Sequence, residues 1–223
     1  PDNVLIGLNG KWNMFSRLSL YGQVVLDEFN FSEFFDDTNW WGNKYGIQLG
    51  LKYFNLLGIS NLDLQAEFNR VRPYTYSHFQ ESETINNISV SNYSHFYQPL
   101  AHPLGANFSE VIFKLRYQPT RRLIVEGRYI YTVVGRDNNG NFGSDILLLN
   151  TTRTGEYGIV QHQGARSEIS NLSLDLSYEV FYNLFFDLQL MVRRDKNAVL
   201  GNINTTFINS GIRYNIHNTK NDY

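Results

Sequence analysis

The chain has 223 residues, 42% hydrophobic and 15% aromatic, with a formal net charge of -2 and no cysteine. That balance supplies no basic excess for nucleic acid, no disulfide scaffold and no cysteine-based zinc site. No apolar run reaches the ~18 residues that a membrane helix needs, but strands that are apolar only at every second residue can still face a bilayer.

The first residues, PDNVLIGLNG, carry neither the charged start nor the long apolar core of a signal peptide. From Val4 to Trp12 the pattern predicts a strand with Val4, Ile6, Leu8 and Trp12 on one face. A second predicted strand, Leu18–Phe29, sets Leu20, Val24 and Leu26 against Ser19, Gln23 and Asp27. Lys44–Phe54 sets Tyr45, Ile47, Leu49, Leu51 and Tyr53 against Lys44, Gln48 and Lys52. Asn61–Arg72 sets Leu62, Leu64, Ala66 and Phe68 against Asp63, Gln65, Glu67 and Asn69.

The stretch Glu110–Gly135 reads as a long hairpin. Val111, Phe113, Leu115 and Tyr117 share a face with Leu123, Val125, Tyr129, Tyr131 and Val133. A turn that sets Tyr117 opposite Leu123 would place Lys114 opposite Glu126 and Arg128 diagonal to Glu110, both favourable pairs. Next, Asn171–Tyr182 alternates most cleanly, with Leu172, Leu174, Leu176, Tyr178 and Val180 on one side. Phe185–Arg194 follows, and a last predicted strand runs to about Ile216, with a phase break near Asn202–Thr206 that suggests a bulge.

Nine strands of about ten residues exceed the roughly five or six usual in soluble domains and match what tilted strands need to cross a bilayer. Short connections at 13–17, 55–60, 118–122 and 182–184 alternate with others at 30–42, 73–107, 136–170 and 195–202. Aromatics such as Trp12, Phe15, Tyr53, Phe54, Phe181 and Tyr182 gather beside the short turns, as in an interfacial girdle. A soluble β-sandwich also alternates, but it does not predict long strands, unequal connections and a girdle together. The expected fold is therefore all-β, a single domain forming a transmembrane antiparallel β-barrel in an outer membrane. Because the first strand runs toward the short turns and the ninth also ends there, an even-stranded barrel needs further strands. The chain is thus expected to be the C-terminal part of a barrel of roughly 14 to 18 strands.

The inward-facing charges, among them Lys52, Glu67, Glu110, Lys114, Glu126, Arg128 and Asp187, are mixed in sign, which argues against an ion-selective channel. No G-x-S-x-G, P-loop, G-x-G-x-x-G or H-E-x-x-H occurs, and no histidine falls inside a confident strand except His217 at the end. A non-enzymatic protein without cofactor or metal is expected. His78, His95, His102 and His162 fall in predicted outer loops and read as hydrogen-bonded loop residues. The loop aromatics are Trp40, Trp41, Tyr74, Tyr76, Phe79, Tyr93, Phe96 and Tyr97. They fit either a surface for sugar or protein, or the loops' own small core. Pro99, Pro103 and Gly105 stiffen their segment and would suit a loop folded back into the barrel mouth.

The segment Gln98-Pro99-Leu100-Ala101-His102-Pro103-Leu104-Gly105-Ala106-Asn107-Phe108, followed by the strand with Glu110, resembles a signature of outer-membrane proteins of Bacteroidota in the capsule assembly (Wzi-like) family. Arg70-Val71-Arg72-Pro73-Tyr74-Thr75-Tyr76 is similar to that family's strand end before the loop. The resemblance implies an outer-membrane barrel of a Gram-negative bacterium, set in lipid and lipopolysaccharide, with a role at the cell surface. For the enteric members it implies a lectin that holds capsular polysaccharide, which makes surface polysaccharide a candidate partner. Other outer-membrane, secretion or gliding proteins are the alternative partners, and an uptake pore is a third reading. The candidate binding residues are Trp40, Trp41, Tyr93, Tyr97, Gln98, His102 and Asn107.

Overall fold

In the computed structural model the described residues are 4–78, 84–85, 88–89 and 91–215; Phe79, Ile216 and His217 lie outside them. Alternation of side chains along the chain yields β1 (Leu5–Met14), β2 (Leu18–Asp27), β3 (Tyr45–Tyr53) and β4 (Leu62–Val71). Two miniature hairpins come next, β5 (Thr84–Ile85) with β6 (Ile88–Ser89), and β7 (Ser94–His95) with β8 (Gln98–Pro99). The long strands β9 (Phe108–Thr120), β10 (Leu123–Arg136), β11 (Ala165–Phe181), β12 (Leu184–Asn197) and β13 (Gly201–Tyr214) complete the chain. β1–β4 and β9–β13 form one nine-stranded antiparallel sheet in chain order, open, with β1 and β13 as its edges.

The sheet has two unlike faces. One cross-strand row carries Leu20, Leu51, Ala66, Phe113, Tyr129, Leu172 and Val192. Phe113 is 46% exposed and Leu172 56%, so this row of the apolar face is uncovered among the described residues. Nearer the long connections, Gln161 and His162 reach Arg70 and Ser109 on the same face. On the opposite face a row runs Gln23, Gln48, Asn69, Glu110, Thr132. Its members bond to one another and to the next row: Thr132 donates to Glu110 at 3.1 Å, and Gln48 and Asn69 donate to Glu67 at 3.1 and 2.9 Å.

Several expectations are corrected by the register. A tight turn pairs Leu123 with Thr120, and a bulge before Val125 then sets Tyr117 opposite Val125 and not Leu123, so Arg116 faces Glu126 and Glu110 faces Thr132. Lys114 stands opposite Arg128, a like-charge pair, and relieves it by reaching diagonally to Glu126 at 2.9 Å. The connection expected at 195–202 is only a three-residue turn: Asn197 Oδ1 accepts from Val199 and Leu200 N–H at 2.8 and 2.9 Å. Gly201 closes that turn with a φ of 77°. β11 begins at Ala165, inside the expected 136–170 loop, and β13 pairs with β12 without the bulge expected near Asn202–Thr206. Both misreadings share a cause. At this end of β11–β13 the apolar face carries Arg166, Glu168, Arg194, Lys196, Asn202 and Asn204, which erases the alternation that marks a strand.

Tyr21 shows how the polar face is packed. It sits opposite Gly50, whose other neighbour is Glu67, and its hydroxyl crosses the glycine to donate to Glu67 at 2.6 Å. A Cβ on Gly50 would collide with the Tyr21 ring, whereas one on Gly127 would meet nothing within 4 Å. Gly50→Ala is therefore expected to destabilise the sheet by about 1–3 kcal/mol, and Gly127→Ala to leave it unchanged or firmer. Equilibrium urea unfolding checks this, and equal midpoints for the two variants would refute the packing account.

Candidate functional site

One end of the sheet is closed by short turns; the other carries the long connections 28–44, 72–107 and 137–164. These are bonded to one another through backbone as well as side chains. Trp41 N–H donates to Glu156 O at 2.9 Å, Ile159 N–H to Asn39 O at 2.9 Å, and Tyr74 N–H to Gly143 O at 2.9 Å. Tyr76, Ala106 and Ile146 from the connections pack with Val71, Phe108, Val134 and Ile169, with Val25 and Leu104 against them. Those strand residues lie on the polar face, so the connections fold back over it.

Asn107 fixes this arrangement. It is fully buried with a φ of 57°, a conformation that asparagine adopts more readily than most residues. Its Nδ2 donates to Gly135 O and Gln163 O at 2.9 Å and to Phe142 O at 3.3 Å, while Oδ1 accepts from His162 N–H at 2.7 Å. Any Cβ on Gly135 would strike Gln163 O and Asn107 Nδ2.

A charged cluster joins the first two connections. Lys44, its side chain wholly buried, places Nζ 2.9 Å from Glu28 and donates to Ser77 O at 2.9 Å. His78 Nε2 lies 2.9 Å from Asp27 Oδ1, and Asp27 Oδ2 accepts from Tyr76 N–H at 2.6 Å. Burial pushes the Glu28 carboxyl up, but the hydrogen bond from His78 and the charge of Lys44 outweigh it and hold it at about 2. Burial likewise opposes protonation of His78, yet Asp27 and Glu28 raise it above its ordinary value. Burial, with Arg166 and Arg70 nearby, lowers His162 instead.

Beneath the β7–β8 hairpin lies a cavity of about 350 Å³ on the polar face. Gln23, Gln48 and Asn69 supply amides from three adjacent strands, and Tyr76, Tyr93 and His102 supply aromatic edges. The Tyr76 and Tyr93 ring centres are 5.7 Å apart. Burial, with Asp27 and Tyr93 nearby, pushes the Tyr76 phenol up to about 12, so it lines the cavity as a neutral hydroxyl. His102 stacks on Phe108 with centres 4.4 Å apart, accepts from Leu104 N–H at 3.3 Å and reaches Glu110 at 3.3 Å. Among the described residues no group of His, Asp or Glu is arranged to hold a metal ion.

The seven candidate residues therefore separate. Tyr93 and His102 line the cavity, with Gln98 in the hairpin above it. Tyr97 stands at that hairpin's exposed tip beside Phe96, both with positive φ, 60° and 46°. Trp40 and Trp41 serve the loops themselves: Trp41 has the Arg153 guanidinium 4.2 Å and Lys44 Nζ 4.9 Å from its ring centre. Asn107 is buried and its amide is fully used inside the protein. Gln23, Gln48 and Asn69 were visible in the sequence only as inward-facing residues; that they form one row depends on register.

The signs of the two shifts set a pH window for the cluster. Glu28, lowered from 4.5 to about 2, stabilises the fold above its ordinary value and loses that effect as pH falls toward 2. His78, raised from 6.5, stabilises the fold below that value and loses the effect as pH climbs through its folded one. Hydrogen-exchange protection of the Tyr76 and His78 amides is thus expected to peak between about pH 4.5 and 6.5. Protection that stays flat from about pH 3 to 8 would refute the assignment.

Comparison with protein-family models and with curated proteins finds no match to this chain.

Proposed function

We propose that the chain supplies nine strands of an outer-membrane β-barrel, and that the cavity under the β7–β8 hairpin holds a stretch of surface polysaccharide without transforming it. The observation that carries the reading is the pairing of an uncovered apolar face with a polar face roofed by its own connections. In water, an exposed apolar surface spread over nine strands would invite association; facing lipid, it is the favourable arrangement.

The slant of the apolar band supports the barrel. The row that begins at Val24 and Ile47 ends, on the same face, at Glu168, Lys196 and Asn202. Strands tilted by roughly 40° and spaced about 4.8 Å apart change height by roughly 3 Å per step across the sheet. A row spanning so many strands must then leave the hydrocarbon layer. Around the rim, Phe29 and Phe34 approach Tyr45 at 6.3 and 6.5 Å, beside a short helix, α1 (Phe31–Phe35), whose Phe31 and Phe35 are exposed. That cluster suits the interface between lipid and water.

For the cavity, amides on one wall and tyrosine rings on the other match the hydroxyls and the apolar faces of a sugar. The resemblance of Gln98–Phe108 to the capsule-assembly signature points the same way. A second reading, an accessory subunit of gliding or secretion machinery, draws on Phe96 and Tyr97. These aromatics stand exposed in a left-handed backbone that costs of order 1–2 kcal/mol each, which suits a tip that gains its packing from a protein partner.

Two experiments test these readings. Leu190→Arg, on the apolar face, should impair insertion into bilayers by about 2–4 kcal/mol, while Gln189→Arg, opposite Asp175, should be tolerated; equal damage would remove the barrel reading. Separately, Tyr93→Ala should weaken binding of polysaccharide released from the source cells by about five- to tenfold, with Phe96→Ser near wild type. If the wild type binds no saccharide, while Phe96→Ser abolishes capture of a protein partner, the second reading replaces the first.

A further inference from the structure

On β11–β13, just beyond the apolar band, three cations share the outward face. Arg166 is bound to Glu168 at 3.0 Å. Arg194 and Lys196 are exposed and have no ion-pair partner among the described residues. On the opposite face, by contrast, the neighbouring Arg193 is matched by Asp195 at 3.1 Å. Two shallow clefts lie side by side here. One, about 310 Å³, is lined by Arg166, Glu168, Lys196 and Asn202; the other, about 450 Å³, by Val192, Arg194, Lys196, Asn202, Asn204 and Thr206. Lys196 and Asn202 belong to both. Directly toward the short-turn end the same face becomes Val192, Leu172, Leu190 and Ile208, all exposed.

Glu168 stands opposite Lys196 but is bonded to Arg166, so cations outnumber carboxylates here. Such an excess with amide donors between makes an anion site, and two such clefts on one lysine suit phosphate. The apolar surface that begins one pair of residues below requires a ligand with hydrocarbon attached to the anion. We infer that Arg194 and Lys196, with Asn202, bind the phosphate of an anionic lipid headgroup in the leaflet around the long-connection end. The inference rests on the membrane reading above and adds to it a position and a headgroup chemistry. A nucleic acid or a free solution anion would gain nothing from the adjoining Leu172 and Ile208.

The test uses the full chain, purified in detergent and reconstituted in vesicles of zwitterionic lipid doped with a phosphorylated glycolipid or its dephosphorylated form. Arg194→Gln/Lys196→Gln is compared with wild type and with Lys52→Gln, a charge removed from the polar face. Insertion is read by resistance to alkaline extraction, and retained lipid by native mass spectrometry in detergent. The expected result is normal insertion of all three, with retention of phosphorylated glycolipid lowered about tenfold or more in the double variant alone, and dephosphorylated lipid retained equally by all. Normal insertion with unchanged retention would overturn the headgroup site and leave the barrel standing. Inorganic phosphate bound as tightly as the glycolipid would overturn the lipid as the source. A wild type that is extracted from the vesicles would overturn the membrane reading, and the site with it.

Discussion

The long-connection end depends on one side-chain amide. Asn107 donates to three carbonyls and accepts one N–H, and its partners come from β10 and from the 137–164 connection, while its own backbone belongs to the 72–107 connection. The amide has only two N–H donors, so both are committed and one is shared between two of the three carbonyls. Without it, the Gly135 and Gln163 carbonyls would lose this donor, at a cost of roughly 1–3 kcal/mol for each one left unsatisfied, whereas Phe142 O would keep the Gln163 side chain at 3.0 Å. Water cannot easily replace the amide, because Ala106, Phe108, Ile146 and Val134 close over the same place. The cavity beneath the β7–β8 hairpin inherits its shape from this point, since Phe108, the next residue, carries the His102 ring.

A sheet with such different faces separates two jobs that compete in most small domains. The polar face builds hydrogen-bonded rows that hold neighbouring strands in register, as Gln48, Asn69 and Glu67 do. The apolar face has no such network and relies on what surrounds it. Between them, Tyr21 and Gly50 show that the polar face is packed through exact backbone gaps as well as charge. The polar face has no enclosed hydrophobic core along most of its length, and the buried apolar cluster is confined to the zone where connections meet strands.

Most of the strand plan was legible from alternation alone. Val111 to Tyr117 or Leu172 to Val180 permit only one pairing of faces, and the strands lie where that alternation puts them. Legibility failed where the outward residues turn polar: Arg166 and Glu168 hid the start of β11, and Asn202 and Asn204 imitated a bulge. It failed again for register, because neither the tight turn that pairs Thr120 with Leu123 nor the bulge after it leaves a mark in composition. The site was half legible. Tyr93 and His102 could be placed in a loop, open between binding and packing, yet the amides that line the same cavity come from strands far apart in sequence. Asn107 was a candidate as part of the Gln98–Phe108 segment; its burial and its bonds to backbone groups were not visible in the sequence.

The way the three connections share one core has a consequence for how this surface can diversify. Tyr76, Ala106 and Ile146 come from two connections, and Trp41 and Glu156 tie in the remaining one. None of them is a free-standing module that could be lengthened or exchanged while the others stay as they are. New specificity would have to arise either at the β7–β8 hairpin tip, which projects beyond the shared core, or by concerted replacement of all three. Grafting a single loop from another such protein would transplant its sequence without its shape.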